Sequence, residues 1–382
     1  MRYHQLDSLR GLAACSVVLL HATNILPAIY DNPAPIWWLN WPPLALLRAG
    51  YPSVIFFFIL SGYVLALPFL KGPVAYWPFI VRRVCRIWIP YAAAMIVSIA
   101  CALRFYPSHV SGLSHWANQA LPFPSLRLLL NHIFLIGSFD SQTYNRAFWS
   151  LVYEMRISLV FPLLVLLLQL GAWWRVLGAA VALSMTELAV ERLPIWPGSN
   201  ELPMTLHYAA LFAVGMLLAR EMPRLRSVFV RMPLRVKASL CVLALLCYVH
   251  ENWLLPESRL QHIPLFRDGL IALAVSFFII SAFSSSRISA WLSRGLPVFL
   301  GKISYSVYLY HVVILLSLVH CFYGKVPLAE IWLATAVLTF AVATLSYYAI
   351  ELPSIRLARA MRLEPSGLAV IQPRIAGVGQ NS

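Results

Sequence analysis

Arg10 and His21 stand eleven positions apart in one apolar stretch. At 3.6 residues per turn that spacing is about 1100°, so a helix would present both on one face to within about 20°, about 16 Å apart along its axis. Ionisable groups inside a bilayer are costly and mark functional sites by default. An imidazole can take a proton or accept a transferred group, and a guanidinium can hold an anion. The plainer reading of His21 is a packed neutral ring bonded to a neighbouring helix. Asp7, three residues before Arg10, shares its face and can hold the guanidinium or simply complement the helix start. Arg83 and Arg86, in Arg82-Arg83-Val84-Cys85-Arg86, are spaced i,i+3 and can face one anion, or can serve only as positive-inside anchors. Glu154 follows Trp149-Ser150-Leu151-Val152-Tyr153 and must pair or line a wet cavity. Ser304, Tyr308 and His311 recur at helical spacing, a polar stripe that should face a bundle interior.

The elements that must position these residues are membrane helices. The chain has 382 residues, is 60% hydrophobic with mean hydropathy +0.75, and is only 11% charged; soluble domains average roughly 25% charged. A spanning helix needs about 20 apolar residues. Ten stretches are candidates, of which 173–190 and 236–250 are short: 9–29, 48–70, 86–106, 148–170, 173–190, 204–220, 236–250, 267–284, 298–321 and 328–350. The apolar stretch 126–138 is too short and should lie at the interface or re-enter. The predicted fold is thus all-α, a polytopic bundle of about ten transmembrane helices, with a membrane domain over 1–355 and a basic, disordered tail over 356–382. The first stretch reads as a retained helix, not a cleaved signal peptide.

Charge fixes the expected orientation. Lys and Arg number 29 against 14 Asp and Glu, and the excess sits in short loops. Placing both termini in the cytoplasm puts Arg82, Arg83 and Arg86, the basic 220–237 loop, and Arg356, Arg359 and Arg362 inside. An eleventh crossing at 126–138 would turn the 220–237 loop outward. The same distribution argues against nucleic acid binding. Cys15, Cys85, Cys101, Cys241, Cys247 and Cys321 form no CxxC pair and read as small core residues, giving neither a disulfide framework nor a metal site. Trp37, Trp38 and Trp41 form either an interfacial aromatic belt or a platform for sugar rings. No GxSxG elbow is present, and composition excludes a soluble hydrolase.

Six short motifs in order resemble the acyltransferase-3 family of integral membrane O-acyltransferases. They are Leu6-Asp7-Ser8-Leu9-Arg10-Gly11 with His21, an Arg-x10-His pattern; Phe57-Phe58-Ile59-Leu60-Ser61-Gly62-Tyr63; Arg83-x-x-Arg86 with Ile89-Pro90; Trp149-Ser150-Leu151 with Glu154; Gly301 to His311; and Ile350-Glu351-Leu352-Pro353. The resemblance covers about residues 3–355. Two departures are visible: Ser8 stands where Gly is common, and Arg156 follows Glu154 where an uncharged residue is usual.

That resemblance implies a stand-alone member in a bacterial inner membrane, with no permanently bound cofactor. It implies acetyl-CoA or another acyl-CoA as cytoplasmic donor and a carbohydrate or glycolipid as acceptor: an O-antigen, an exopolysaccharide or a lipo-chitooligosaccharide. Arg10, Arg83 and Arg86 would hold the donor's phosphates. His21 would act as general base or be acylated itself, and Glu154 would orient His21 or the acceptor. Asp7, Ser61, Trp149, Tyr305 and His311 are the expected supporting residues. The competing class is a transporter or flippase of lipid-linked saccharides; no inverted repeat or pair of broken helices favours it.

Overall fold

In hydrocarbon every backbone N–H and C=O must be satisfied by the protein itself, and a continuous apolar run of this length does so as a helix. Long helices run His4–Asn24, Gly50–Lys71, Tyr76–Phe105, Trp149–Leu164, Trp173–Glu191, Glu201–Arg231, Leu234–Tyr248, Pro264–Ser284, Gly295–Phe322 and Leu328–Ser346. One stands at each apolar stretch read from the sequence. The structure, a computed structural model, describes residues 3–32, 39, 41–105, 109–119, 125–135, 139–191, 201–250, 263–361 and 370–371.

Among the described residues, six helices are long and apolar enough to cross a membrane: Gly50–Lys71, Tyr76–Phe105, Trp149–Leu170, Pro264–Ser284, Gly295–Phe322 and Leu328–Ala360. These make the chain a multi-pass helical membrane protein. His4–Asn24 falls outside that set because Asp7, Arg10 and His21 dilute its apolar content. Among the described residues, the stretch near 126–138 forms the helix Leu126–Phe134, about 14 Å long and too short to span. It stops at Leu135, in the left-handed region at φ 54.

Prolines shape two of the spans. Pro162 lies inside Trp149–Leu164, and beyond it the helix tightens into a 3₁₀ stretch, Val165–Leu170, that ends on Gly171 at φ 76. The last span widens into a π turn at Tyr347–Glu351 just before Pro353. Proline has no N–H for the turn behind it, and a widened turn accommodates the loss.

The chain divides into two compact units. The first joins Met1–Ser53, Val84–Val152 and Trp291–Met361. In it, His4–Asn24 packs closely on Gly295–Phe322 at Gly11 and Gly301. A Cβ on Gly11 would stand 2.6 Å from the Gly301 nitrogen, and one on Gly301 would collide with the Asp7 carbonyl. Small residues let backbones approach this way in membrane bundles. Ser8, one of the two departures from the family pattern, is buried and donates to the Leu292 carbonyl at 2.5 Å.

The second unit joins Val54–Arg83, Tyr153–Ala290 and Arg362–Ser382. Gly62 and Gly215 bring Gly50–Lys71 and Glu201–Arg231 together, since a Cβ on either would strike the other helix's backbone, at Phe212 and Ile59 respectively. Phe58 and Tyr208 pack beside this crossing, centroids 4.6 Å apart. The segment read as a tail begins within the helix Leu352–Ala360, and Val370–Ile371 pairs antiparallel with Val74–Ala75. The rest of that tail lies outside the described residues, as do Trp37 and Trp38; Trp41 is exposed.

Candidate active site

In the first unit the polar stripe of Gly295–Phe322 meets the His-bearing face of His4–Asn24. His21 Nδ1 and His311 Nε2 are 3.0 Å apart. His311 Nδ1 faces two backbone carbonyls, Tyr308 at 2.8 Å and Val307 at 3.1 Å. A carbonyl only accepts, so His311 Nδ1 carries a hydrogen. In a neutral His311 the Nε2 lone pair then accepts from His21 Nδ1–H. This leaves the lone pair of His21 on Nε2, the atom turned away from His311. The proton positions follow from this network.

The rings around the pair fix it further. Trp116 stacks on His21 with centroids 5.2 Å apart and planes 18° from parallel. The Arg146 guanidinium lies 5.0 Å from the Trp116 ring, a cation–π contact. Tyr308 extends the stripe, its hydroxyl 2.7 Å from Ser150 Oγ. Asn145 donates to the Leu309 carbonyl at 2.9 Å and to Ser98 Oγ at 3.2 Å. Trp332 donates to the Ala22 carbonyl beside His21. Trp116 is itself anchored, because Ser114 caps the helix His115–Asn118 and bonds the Asn24 carbonyl at 2.6 Å.

The other expected residues fall as follows. Arg10 pairs with Asp7 at 3.3 Å, one of the two readings of Asp7. Arg86 is exposed, with no hydrogen bond or ion pair among the described residues. Tyr305 donates to the Ile87 carbonyl at 2.8 Å, tying the polar stripe to Tyr76–Phe105. Trp149 stacks on Tyr51, with planes 9° apart.

Glu154 belongs to the second unit, where it takes Arg83 at 2.9 Å and Ser61 Oγ at 3.2 Å. Arg83 also reaches Ser158 Oγ. Arg156 turns to Thr205 Oγ1 at 3.3 Å and lies over the Tyr153 ring. Glu154 thus pairs with Arg83 of the Arg-x-x-Arg motif, while Arg156, the departure two residues on, takes a different partner.

Sequence reasoning missed Trp116, Arg146 and Asn145. All three lie in a connecting segment without periodicity, and one tryptophan there looks like any other. His311 was found by its spacing, though only as a supporting residue; its direct bond to His21 had no sequence signal.

The family model described as Acyltransferase domain, that of the acyltransferase-3 family, matches residues 3–350. The chain therefore belongs to the acyltransferase-3 family. It is 26% identical over 91% of its length to the protein named Putative peptidoglycan O-acetyltransferase YrhL of Bacillus subtilis (strain 168), covering 54% of that protein. It is 24% identical over 92% of its length to Putative O-acetyltransferase SAS0844 of Staphylococcus aureus (strain MSSA476), covering 57% of that one. The chain thus spans little more than half the length of these relatives. It is also 23% identical to Nodulation protein 10 of Rhizobium leguminosarum bv. viciae, over 92% of this chain and 93% of that protein. No solved structure matches it.

Proposed function

We propose that this acyltransferase moves an acyl group, most simply acetyl, from cytoplasmic acyl-CoA to a carbohydrate hydroxyl. The setting is a bacterial inner membrane, crossed ten times with both termini inside. The observation that carries the reading is the carbonyl–His311–His21 relay, which leaves His21 Nε2 with a free lone pair. The acceptor is drawn from the O-acetyltransferase and nodulation names of the relatives.

In the reaction, His21 Nε2 takes the proton of the acceptor hydroxyl as its oxygen attacks the thioester carbonyl. The new C–O bond forms, the C–S bond breaks, and the thiolate leaves with the proton from the imidazolium. His311 holds the ring and stabilises the charge it gains, the part a carboxylate plays in a Ser-His-Asp triad. Arg10, Arg83 and Arg86 are proposed to meet the donor's phosphates. Arg86 is the open one; a phosphate at Arg83 must share it with Glu154.

Mass spectrometry of surface glycans from cells with and without the gene tests this. A loss of one acyl mass from a glycan on deletion supports the reading. Unchanged glycan masses, with the protein expressed in the control strain, would reject it.

A further inference from the structure

The second unit buries a chain of polar groups that the reaction above does not use. Ser184 on Trp173–Glu191, His207 on Glu201–Arg231 and Asp268 on Pro264–Ser284 meet from three helices, at 2%, 1% and 0% exposure. Ser184 Oγ is 2.6 Å from His207 Nδ1, and His207 Nε2 is 2.8 Å from Asp268 Oδ2. Arg267 Nε donates to Asp268 Oδ1 at 2.9 Å. With Asp268 accepting at both oxygens, His207 Nε2 carries a hydrogen. In a neutral ring the Nδ1 lone pair then faces the Ser184 hydroxyl.

Nucleophile, base and orienting carboxylate within hydrogen-bond reach are the signature of an activated serine. The two ring nitrogens are exchanged relative to soluble serine hydrolases, but either nitrogen serves as a base. Ser184 and His207 also line a cleft of about 140 Å³. Apart from Ser276, its other walls are apolar, among them Ala180, Val181, Leu211, Leu265 and Ala272. An engineered apolar cavity of about 150 Å³ takes up a benzene ring, so this one has room for a short alkyl chain. Gly269 lines it too, with nothing within 4 Å of where a Cβ would stand.

We propose that Ser184 is a second, acyl-accepting nucleophile, for a short-chain ester or thioester whose alkyl part lies in this cleft. Ser184 Oγ passes its proton to His207 Nδ1 and bonds the carbonyl carbon. The bond to the leaving alcohol or thiol breaks, and that group departs with the proton from His207. The product is O-acylated Ser184, and Asp268 keeps the ring in place throughout. The proposal is independent of the His21 reading, since it uses only residues of the second unit.

The test treats the purified protein in detergent with a short-chain alkyl fluorophosphonate, an electrophile that loses fluoride to an activated serine and leaves a stable adduct resembling the tetrahedral intermediate, and maps the modified peptide by mass spectrometry. Modification at Ser184 is expected, at least tenfold faster than in His207→Gln. Gly269→Leu, which fills the cleft and leaves the three polar residues intact, is expected to slow it by a similar factor. No modification of Ser184 in the folded wild-type protein would overturn the proposal, as would equal rates in His207→Gln. If His207→Gln does not elute as a folded species, the Gly269→Leu comparison decides, and an unchanged rate there rejects the site.

Discussion

The indole of Trp116 covers one face of the His21 imidazole at 5.2 Å, and Arg146 stands over the same indole at 5.0 Å. Such a stack contributes about 1 kcal/mol beyond its buried area and limits how far the imidazole can rotate. Trp116→Ala should lower kcat about tenfold with little change in the acceptor KM, and Trp116→Phe should restore most of it. Steady-state kinetics on the two variants checks this; equal rates in Trp116→Ala and wild type would count against a positioning role.

His311 makes a sharper prediction. His311→Phe keeps the ring volume but leaves His21 Nδ1–H without its acceptor, so kcat should fall about 100-fold, the low end for general-base catalysis. His311→Gln offers a carbonyl oxygen to the same hydrogen and should recover part of that loss. The ordering wild type, Gln, Phe is what the relay requires. Gln and Phe variants of equal activity would mean the hydrogen bond is not used.

Stability rests on backbone contact at Gly11 and Gly301. A methyl at either position must push apart two helices whose backbones already touch. Overpacking of this kind costs about 1–3 kcal/mol. Gly11→Ala and Gly301→Ala should each lower the melting temperature in detergent by several degrees. Gly178→Ala, where a Cβ would meet open space, should not.

His132 gives a pH dependence that lies outside the spans. It is fully buried, with Nδ1 2.7 Å from the Tyr91 hydroxyl. Burial holds its pKa down at about 4 against an ordinary 6.5. Between those values the unfolded chain takes up a proton that the folded protein refuses. Stability is therefore complete above about pH 6.5 and falls as the pH drops toward 4, by up to roughly 3 kcal/mol from this residue. Melting curves at pH 7 and pH 4.5 should separate less in His132→Gln than in wild type.

Much of this architecture was legible from the residues. Hydropathy marked stretches that each carry a long helix, and among the described residues six of these helices are long and apolar enough to cross a membrane. The eleven-residue step from Arg10 to His21 and the Ser304–Tyr308–His311 stripe marked two faces, and the fold brings His21 and His311 from those faces into contact. Pairings between distant segments were not legible. Glu154 takes Arg83, and Ser8 takes the Leu292 carbonyl, for reasons of tertiary packing that no local pattern carries. Trp116 sits on a single helical turn and Arg146 in a loop, both in a connecting segment too short of regular structure to show a period. Ser184, His207 and Asp268 come from three separate helices and show no motif in the sequence.

The most direct measurement is single-turnover acyl transfer by purified wild-type and His21→Ala protein, with labelled acetyl-CoA and the acceptor glycan, both confirmed folded by gel filtration. Transfer should fall by at least 100-fold in the variant. Transfer at the wild-type rate without the imidazole would contradict the assignment of His21.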